Sequence, residues 1–241
     1  MFLTMAKANT TWNVLPHQPI EKLTENLWRV EGDVAGMPLK RVMTVAKRSD
    51  GDLVVHNAIA MEPAAMAELD AWGKVRYLIV PNGWHRLDAR IFQDRYPSAA
   101  VYCPSGSRKK VEEVVAVKGT YEELPADSAI SLTTLDGVGR TEGVMTVQSA
   151  DGATLVFNDA LFNMPHGSGL QGFIFKHITQ SSGPLHVSRI GKLFLVKDRA
   201  AFRAHLERLA ATPALRRIIV SHHQTVTVGP AETLRAAVAG L

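Results

Sequence analysis

Apolar residues come first in short β-branched runs and only later at helical spacing. Leu27-Trp28-Arg29-Val30 and Val42-Met43-Thr44-Val45-Ala46-Lys47 read as strands, the second turning through Ser49-Asp50-Gly51 into Leu53-Val54-Val55-His56. An Asp-Gly pair between alternating runs is a strong hairpin signal, so the chain opens with antiparallel strands. Glu62-Pro63 predicts a helix start, with Met66, Leu69 and Trp72 on one face and Gly73 as its stop. Tyr77-Leu78-Ile79-Val80 reads as a buried strand ended by Pro81 and Gly83. A short helix is predicted over 88–96, a strand over 101–103, and a helix beginning at Arg108.

From residue 130 the pattern is β again, with strands over 130–135, 144–148 and 154–157 and a second Asp-Gly turn at Asp151-Gly152. Residues 163–192 are rich in Gly, Ser and His, with one helical turn predicted over 173–178. Asp198 caps a helix carrying Phe202, Leu206 and Leu209 on one face, and Thr212-Pro213 ends it. Ile218-Ile219-Val220 is a buried strand running into Ser221-His222-His223, and Pro230 starts a last helix. Residues 1–20 read as an extended lead-in. The order predicts one α/β (α+β) domain over 1–241, an αββα sandwich of two mixed β-sheets with helices on the outer faces.

Composition narrows the function classes. No apolar run reaches the length of a membrane span, and no Pro/Gly/Ser linker divides the 241 residues. A net charge of +4, with basic residues that read as scattered, gives no basic stripe interleaved with aromatics. Neither a nucleic-acid partner nor a membrane partner is therefore expected. A lone cysteine, Cys103, excludes an internal disulfide and fits a reducing compartment, so a cytoplasmic location is expected. It reads as a buried thiol, the basic trio Arg108-Lys109-Lys110 as a solvated face, and His166, His177 and His186 as surface histidines. The chain has neither a Walker loop nor a Gly-x-Gly-x-x-Gly phosphate cradle.

Candidate chemistry collects where strands end. Polar clusters at Asn82–Asp88, Asn158-Asp159 and His222-His223 each follow an apolar run, and strand ends can be brought together from distant sequence. Together with Gly139-Arg140-Thr141-Glu142-Gly143 and the early Leu53-Val54-Val55-His56-Asn57, these stretches resemble the metallo-β-lactamase superfamily. That family carries Thr-His-x-His-x-Asp-His, Gly-His-Thr-x-Gly, a strand ending in Gly-Asp and a late strand ending in Gly-His. The resemblance covers residues 27–241 and implies the αββα fold and a hydrolase-like activity on a small-molecule substrate or ligand.

In that register the first three ligand histidines fall on Asn82, Trp84 and Arg140, and Arg86 stands at the aspartate. Leu87 stands at the histidine after it, while Asp159 and His222 occupy ligand positions. Neither indole nor guanidinium binds zinc, so the usual two-metal site is expected to be lost or remodelled. His85, Asp159 and His222 are the candidate catalytic residues, in a pocket with Asn82, Trp84, Arg86, Asp88, Arg140 and His223. A metal-free site is favoured, because two arginines at ligand positions repel a divalent cation; Arg140, and to a lesser degree Arg86, would then neutralise Asp159. The alternative is a single zinc or similar divalent ion on His85, Asp88, Asp159 and His222. A non-catalytic ligand-binding or interaction protein on the same scaffold is the competing function.

Overall fold

Strands in this chain are apolar on both faces, and that pattern requires cover on both sides. The computed structural model, which describes residues 8–241, supplies it in four layers. The first sheet has seven strands in sequence order: β1 (Glu21–Thr24), β2 (Leu27–Val34), β3 (Met37–Lys47), β4 (Leu53–His56), β5 (Val75–Ile79), β6 (Ala100–Cys103) and β7 (Gly119–Thr120). Its first four strands pair antiparallel, as the Asp50-Gly51 turn predicts, and β4 to β7 run parallel. The parallel strands alternate with α1 (Pro63–Trp72), α2 (Ala89–Arg95) and the single turn α3 (Arg108–Val111).

The second sheet contains β8 (Ile130–Thr134), β9 (Gly143–Ser149), β10 (Gly152–Phe157) and β13 (Leu215–Val220), in the order β13-β10-β9-β8. A small third sheet pairs β11 (Phe162–Met164) with β12 (Gly183–His186), with α4 (Gly169–Phe173) between them in sequence. Helices α5 (Arg199–Ala210) and α6 (Pro230–Ala239) flank β13 in sequence and cover the outer face of the second sheet.

Period-2 alternation assigns each strand's side chains to two cores. Val54, Ile79 and Tyr102 of the first sheet meet Met145, Val156 and Ile219 of the second between the sheets. Their neighbours Val55, Leu78 and Val101 face outward onto Met66, Leu69, Ile91 and Phe92. On the other side Leu155, Phe157, Ile218 and Val220 pack under Phe202, Leu206 and Leu234. The structure is the expected mixed α/β sandwich.

Several details differ from expectation. The helix expected from Arg108 is one turn, and β1, β7, β11 and β12 lie where no strand was expected, each only two to four residues long. Runs that short carry too few alternations to be distinguished from loop. Of the expected lead-in, residues 1–7 lie outside the described residues, and residues 8–20 carry a single bridge, His17 to Gly32. No helix among the described residues is long and apolar enough to cross a membrane.

Candidate functional site

Strands β10 and β13 run parallel with Phe157 opposite Val220, so the residues after them emerge side by side. Those residues are Asn158-Asp159 and Ser221-His222. The chain leaving β5 brings Val80-Pro81-Asn82 to the same edge, and Asn57 follows the end of β4 at φ 58°. Four strand ends thus contribute to one polar cluster.

Asp159 is its centre. One carboxylate oxygen, Oδ1, lies 3.0 Å from His85 Nε2 and 3.1 Å from His222 Nε2. The other, Oδ2, accepts from Asn82 Nδ2 at 2.8 Å. Burial raises the Asp159 pKa, but the neighbouring His85 and His222 imidazoles outweigh it, holding the carboxyl well below its usual range. About 21% of the Asp159 side chain remains exposed, which leaves the cluster open to solvent on one side.

Each imidazole is fixed through its far nitrogen. His222 Nδ1 lies 2.7 Å from the Lys40 carbonyl oxygen, and His85 Nδ1 lies 3.1 Å from Asn57 Oδ1. Asn57 donates its own Nδ2 to the Val42 carbonyl at 2.8 Å, so its oxygen faces His85. A carbonyl only accepts, so both histidines carry their proton on Nδ1 and direct Nε2 at Asp159. Phe162 stacks on His222 at 5.4 Å with an interplanar angle of 10°.

Asn82 is saturated: its amide hydrogens go to Asp159 and Glu142, and its Oδ1 accepts from the backbone N–H of Trp84 and His85, both at 2.8 Å. This turn swings His85 into the cluster and leaves Trp84 more than half exposed. Glu142 is fully buried and also accepts from Asn158 Nδ2 at 3.1 Å and the Ala160 N–H at 3.2 Å. Burial and the charge of Asp159 push its pKa well up. It reaches this depth because Gly143, next in sequence, lies against the Tyr121 ring where a Cβ would collide.

The sequence-predicted residues divide sharply. His85, Asp159, His222 and Asn82 come together. Asp88 does not join them: it is buried against Arg41, accepts from the Ala60 N–H at 3.0 Å and from Asn9 Nδ2 at 2.6 Å, and lies outside the ligand cluster. Arg86 turns away to Glu113 at 2.7 Å and to the Lys110 carbonyl. Arg140, expected to bond Asp159, is 65% exposed, sits at φ 60° and lies 3.6 Å from Glu122. The arginine countercharge is therefore absent, because the Gly139-Arg140 turn projects the side chain outward.

His223, at φ 64°, does not reach Asp159. Its Nε2 lies 3.3 Å from the Lys40 N–H, and burial, His222 and Lys40 lower its pKa to about 4. Burial pushes the Cys103 thiol up to about 12, as suits an unreactive sulfur. Sequence reasoning placed Asn158 in a polar cluster and Asn57 and Glu142 in family-like stretches without giving them a site role, and it passed over Phe162. Glu142 had a signal: a carboxylate next to a glycine that opens a buried strand.

Among the described residues His85, Asp159 and His222 form a group whose ligand atoms all lie within 4.8 Å of one another. Two imidazoles with Nδ1 anchored and a carboxylate make a donor set that fits a divalent cation.

No family model matches the sequence, and no curated protein matches it. Solved structures do. The DIM-1 metallo-β-lactamase exposed to ceftazidime superposes with a TM-score of 0.63 at 12% identity, over 95% of this chain and 99% of that one. A metallo-β-lactamase from Erythrobacter litoralis gives 0.60 at 12% identity over 92% and 96%. FIM-1 from Pseudomonas aeruginosa, in a mono-zinc form, gives 0.60 at 12% identity over 94% and 96%. The chain has the metallo-β-lactamase fold.

Proposed function

We propose that this protein is a hydrolase-like enzyme acting on a small-molecule substrate through one divalent, zinc-class ion held by His85, Asp159 and His222. The direction of the two imidazoles carries the reading. With Nδ1 protonated against Lys40 O and Asn57 Oδ1, each neutral ring offers its Nε2 lone pair toward Asp159 Oδ1. Lone pairs facing a carboxylate are unfavourable unless a cation lies among them or both rings take a second proton. Three donors leave a position open, as in catalytic rather than closed sites. The metal-free site favoured on sequence grounds relied on two arginines, and neither reaches Asp159.

Such an ion, when bound, supplies a water of lowered pKa as nucleophile. The chain's own residues do the positioning. Asn82 holds Oδ2 of Asp159, leaving Oδ1 for the histidines, and Phe162 fixes the plane of His222. The exposed indole of Trp84, next to His85, is an apolar surface for a substrate to pack on. Asn82 and Trp84 stand where the resemblance calls for histidine, so a second ion has no donor set there. A non-catalytic, metal-free binding protein is the second reading. It is favoured by the 3.0 and 3.1 Å separations, which suit hydrogen bonds from doubly protonated imidazoles.

Protein purified without a metal-binding tag should carry about one equivalent of zinc-class ion, and Asp159→Asn should lose it. Added zinc at about a hundred times its Kd should stabilise the parent by roughly 2.7 kcal/mol and leave the variant unchanged. A metal content below about one-tenth of an equivalent after growth in zinc-supplemented medium would transfer the site to the metal-free reading.

A further inference from the structure

The chain holds 27 basic and 23 acidic residues, and the excess is not spread along it. Residues 160–197 contain Lys176, Arg189, Lys192 and Lys197 and no aspartate or glutamate, leaving 23 of each sign elsewhere. The basic residues are spread along the chain, and the net charge of +4 arises because this one segment carries no acid to balance its four cations. Among the described residues, none of these four cations is in an ion pair.

The same segment exposes apolar surface. Of nine large hydrophobic residues exposed among the described residues, six lie here: Leu170, Phe173, Ile178, Ile190, Leu193 and Phe194. They fall on two helical stretches. Helix α4 continues into a π-helical turn over Ile174–Ile178, and a second π-helical turn covers Gly191–Leu195. The spacings 170, 173, 178 and 190, 193, 194 each place the apolar residues on one helix face. A hydrogen bond from the Arg189 N–H to the Thr179 carbonyl at 3.0 Å ties the start of the second stretch to the end of the first. Soluble surfaces rarely leave so many large apolar side chains together without a use for them.

We propose that this surface docks onto a bilayer carrying anionic phospholipid headgroups. Helical stretches that combine exposed Leu, Ile and Phe with Lys and Arg, and carry no acid, have the composition of interfacial membrane-binding elements. Apolar side chains enter the acyl boundary while the cations meet phosphate, each contributing near the surface. A second copy of the chain is a poor occupant, because an isologous contact brings the same acid-free, cationic segment against itself. Nucleic acid fits less well, since four of the six apolar residues are aliphatic and offer no ring to stack on a base. The expectation of no membrane partner rested on spanning helices, which surface docking does not use.

The test is sedimentation with vesicles of phosphatidylcholine alone and of phosphatidylcholine with phosphatidylglycerol, at about 0.1 M and about 1 M salt. The parent should partition to the anionic vesicles at low salt and lose most of that binding at high salt. Phe173→Ser with Phe194→Ser, and separately Lys176→Glu with Arg189→Glu, should each reduce partitioning by about tenfold or more. All four positions are exposed, and unchanged circular dichroism and thermal melts would verify folding. Val228→Ser, at an apolar residue exposed outside the segment, should leave partitioning unchanged. Absence of vesicle binding, equal binding to both vesicle types, or binding only to a single-stranded RNA oligomer would each overturn the proposal. Metal-stripped protein should bind vesicles as well as the parent, so this result and the metal result fail independently.

Discussion

Two aspartates, the buried Asp88 and the partly buried Asp159, were read from the sequence as partners in one site, and the structure gives them opposite environments. Asp88 has no exposed side-chain surface and is paired with the guanidinium of Arg41, with the Ala60 N–H and Asn9 completing its bonds. Asp159 keeps about a fifth of its side chain open, and the basic groups bonded to it are two histidines. A guanidinium never titrates and binds no metal, so Asp88 is locked for the life of the fold. Imidazoles can give up a proton or accept a cation in its place, so the charge beside Asp159 can be exchanged. The kind of countercharge, more than burial, separates the locked carboxylate from the exchangeable one.

Removing the fixed partner is the harshest test of that contrast. Arg41→Met leaves Asp88 buried without a cation and should cost on the order of 3–5 kcal/mol in urea unfolding. Adding Asp88→Asn should recover part of the loss. If Arg41→Met is no less stable than the parent, the pair is not what anchors this region. A second contrast lies beside the polar cluster at His56, whose two ring nitrogens are buried without a partner among the described residues. Burial chiefly, and then the neighbouring His85, lower its pKa from 6.5 to about 3. The folded state therefore resists protonation that the unfolded chain accepts, so stability is full above pH 6.5 and falls as pH drops toward 3. The loss should be on the order of 4 kcal/mol across that window. His56→Leu should flatten the profile between those limits; an unchanged slope would assign the acid sensitivity elsewhere.

The fold was legible because its signals are local. The continuous apolar run Leu53-Val54-Val55, the Asp-Gly turns and the Pro63 and Asp198 helix starts all act within a few residues. The site was legible only in part, and for a geometric reason. Asp159 and His222 follow long apolar strands whose parallel pairing fixes where their ends go. His85 depended on the Asn82 turn, in which one side-chain oxygen captures two backbone N–H groups and rotates the chain by a residue. Motif register alone puts Trp84 inward and leaves the direction of His85 open. Asn57, at positive φ, and Glu142, under the floor of the site, act through contacts 28 and 60 residues away in sequence. Spacing cannot show such contacts before the strands are assembled.

The smallest expected effect falls on Arg140, where a motif match pointed to a buried partner for Asp159. Its guanidinium is 65% exposed and its nearest carboxylate, on Glu122 at 3.6 Å, is itself 44% exposed. A solvated pair at that separation contributes a few tenths of a kcal/mol, since water and salt screen it and the long side chain loses freedom in forming it. Backbone geometry adds little to the choice of side chain, because arginine and alanine carry the same Cβ at φ 60°. Arg140→Ala should therefore shift unfolding stability by no more than about 0.5 kcal/mol. Metal content and the pH profile should match the parent, because Asp159 keeps Asn82, His85 and His222 as its partners. A loss of several kcal/mol would mean that Arg140 folds inward in solution and neutralises Asp159. In that event the two aspartates would share one kind of countercharge, and the distinction between them would collapse.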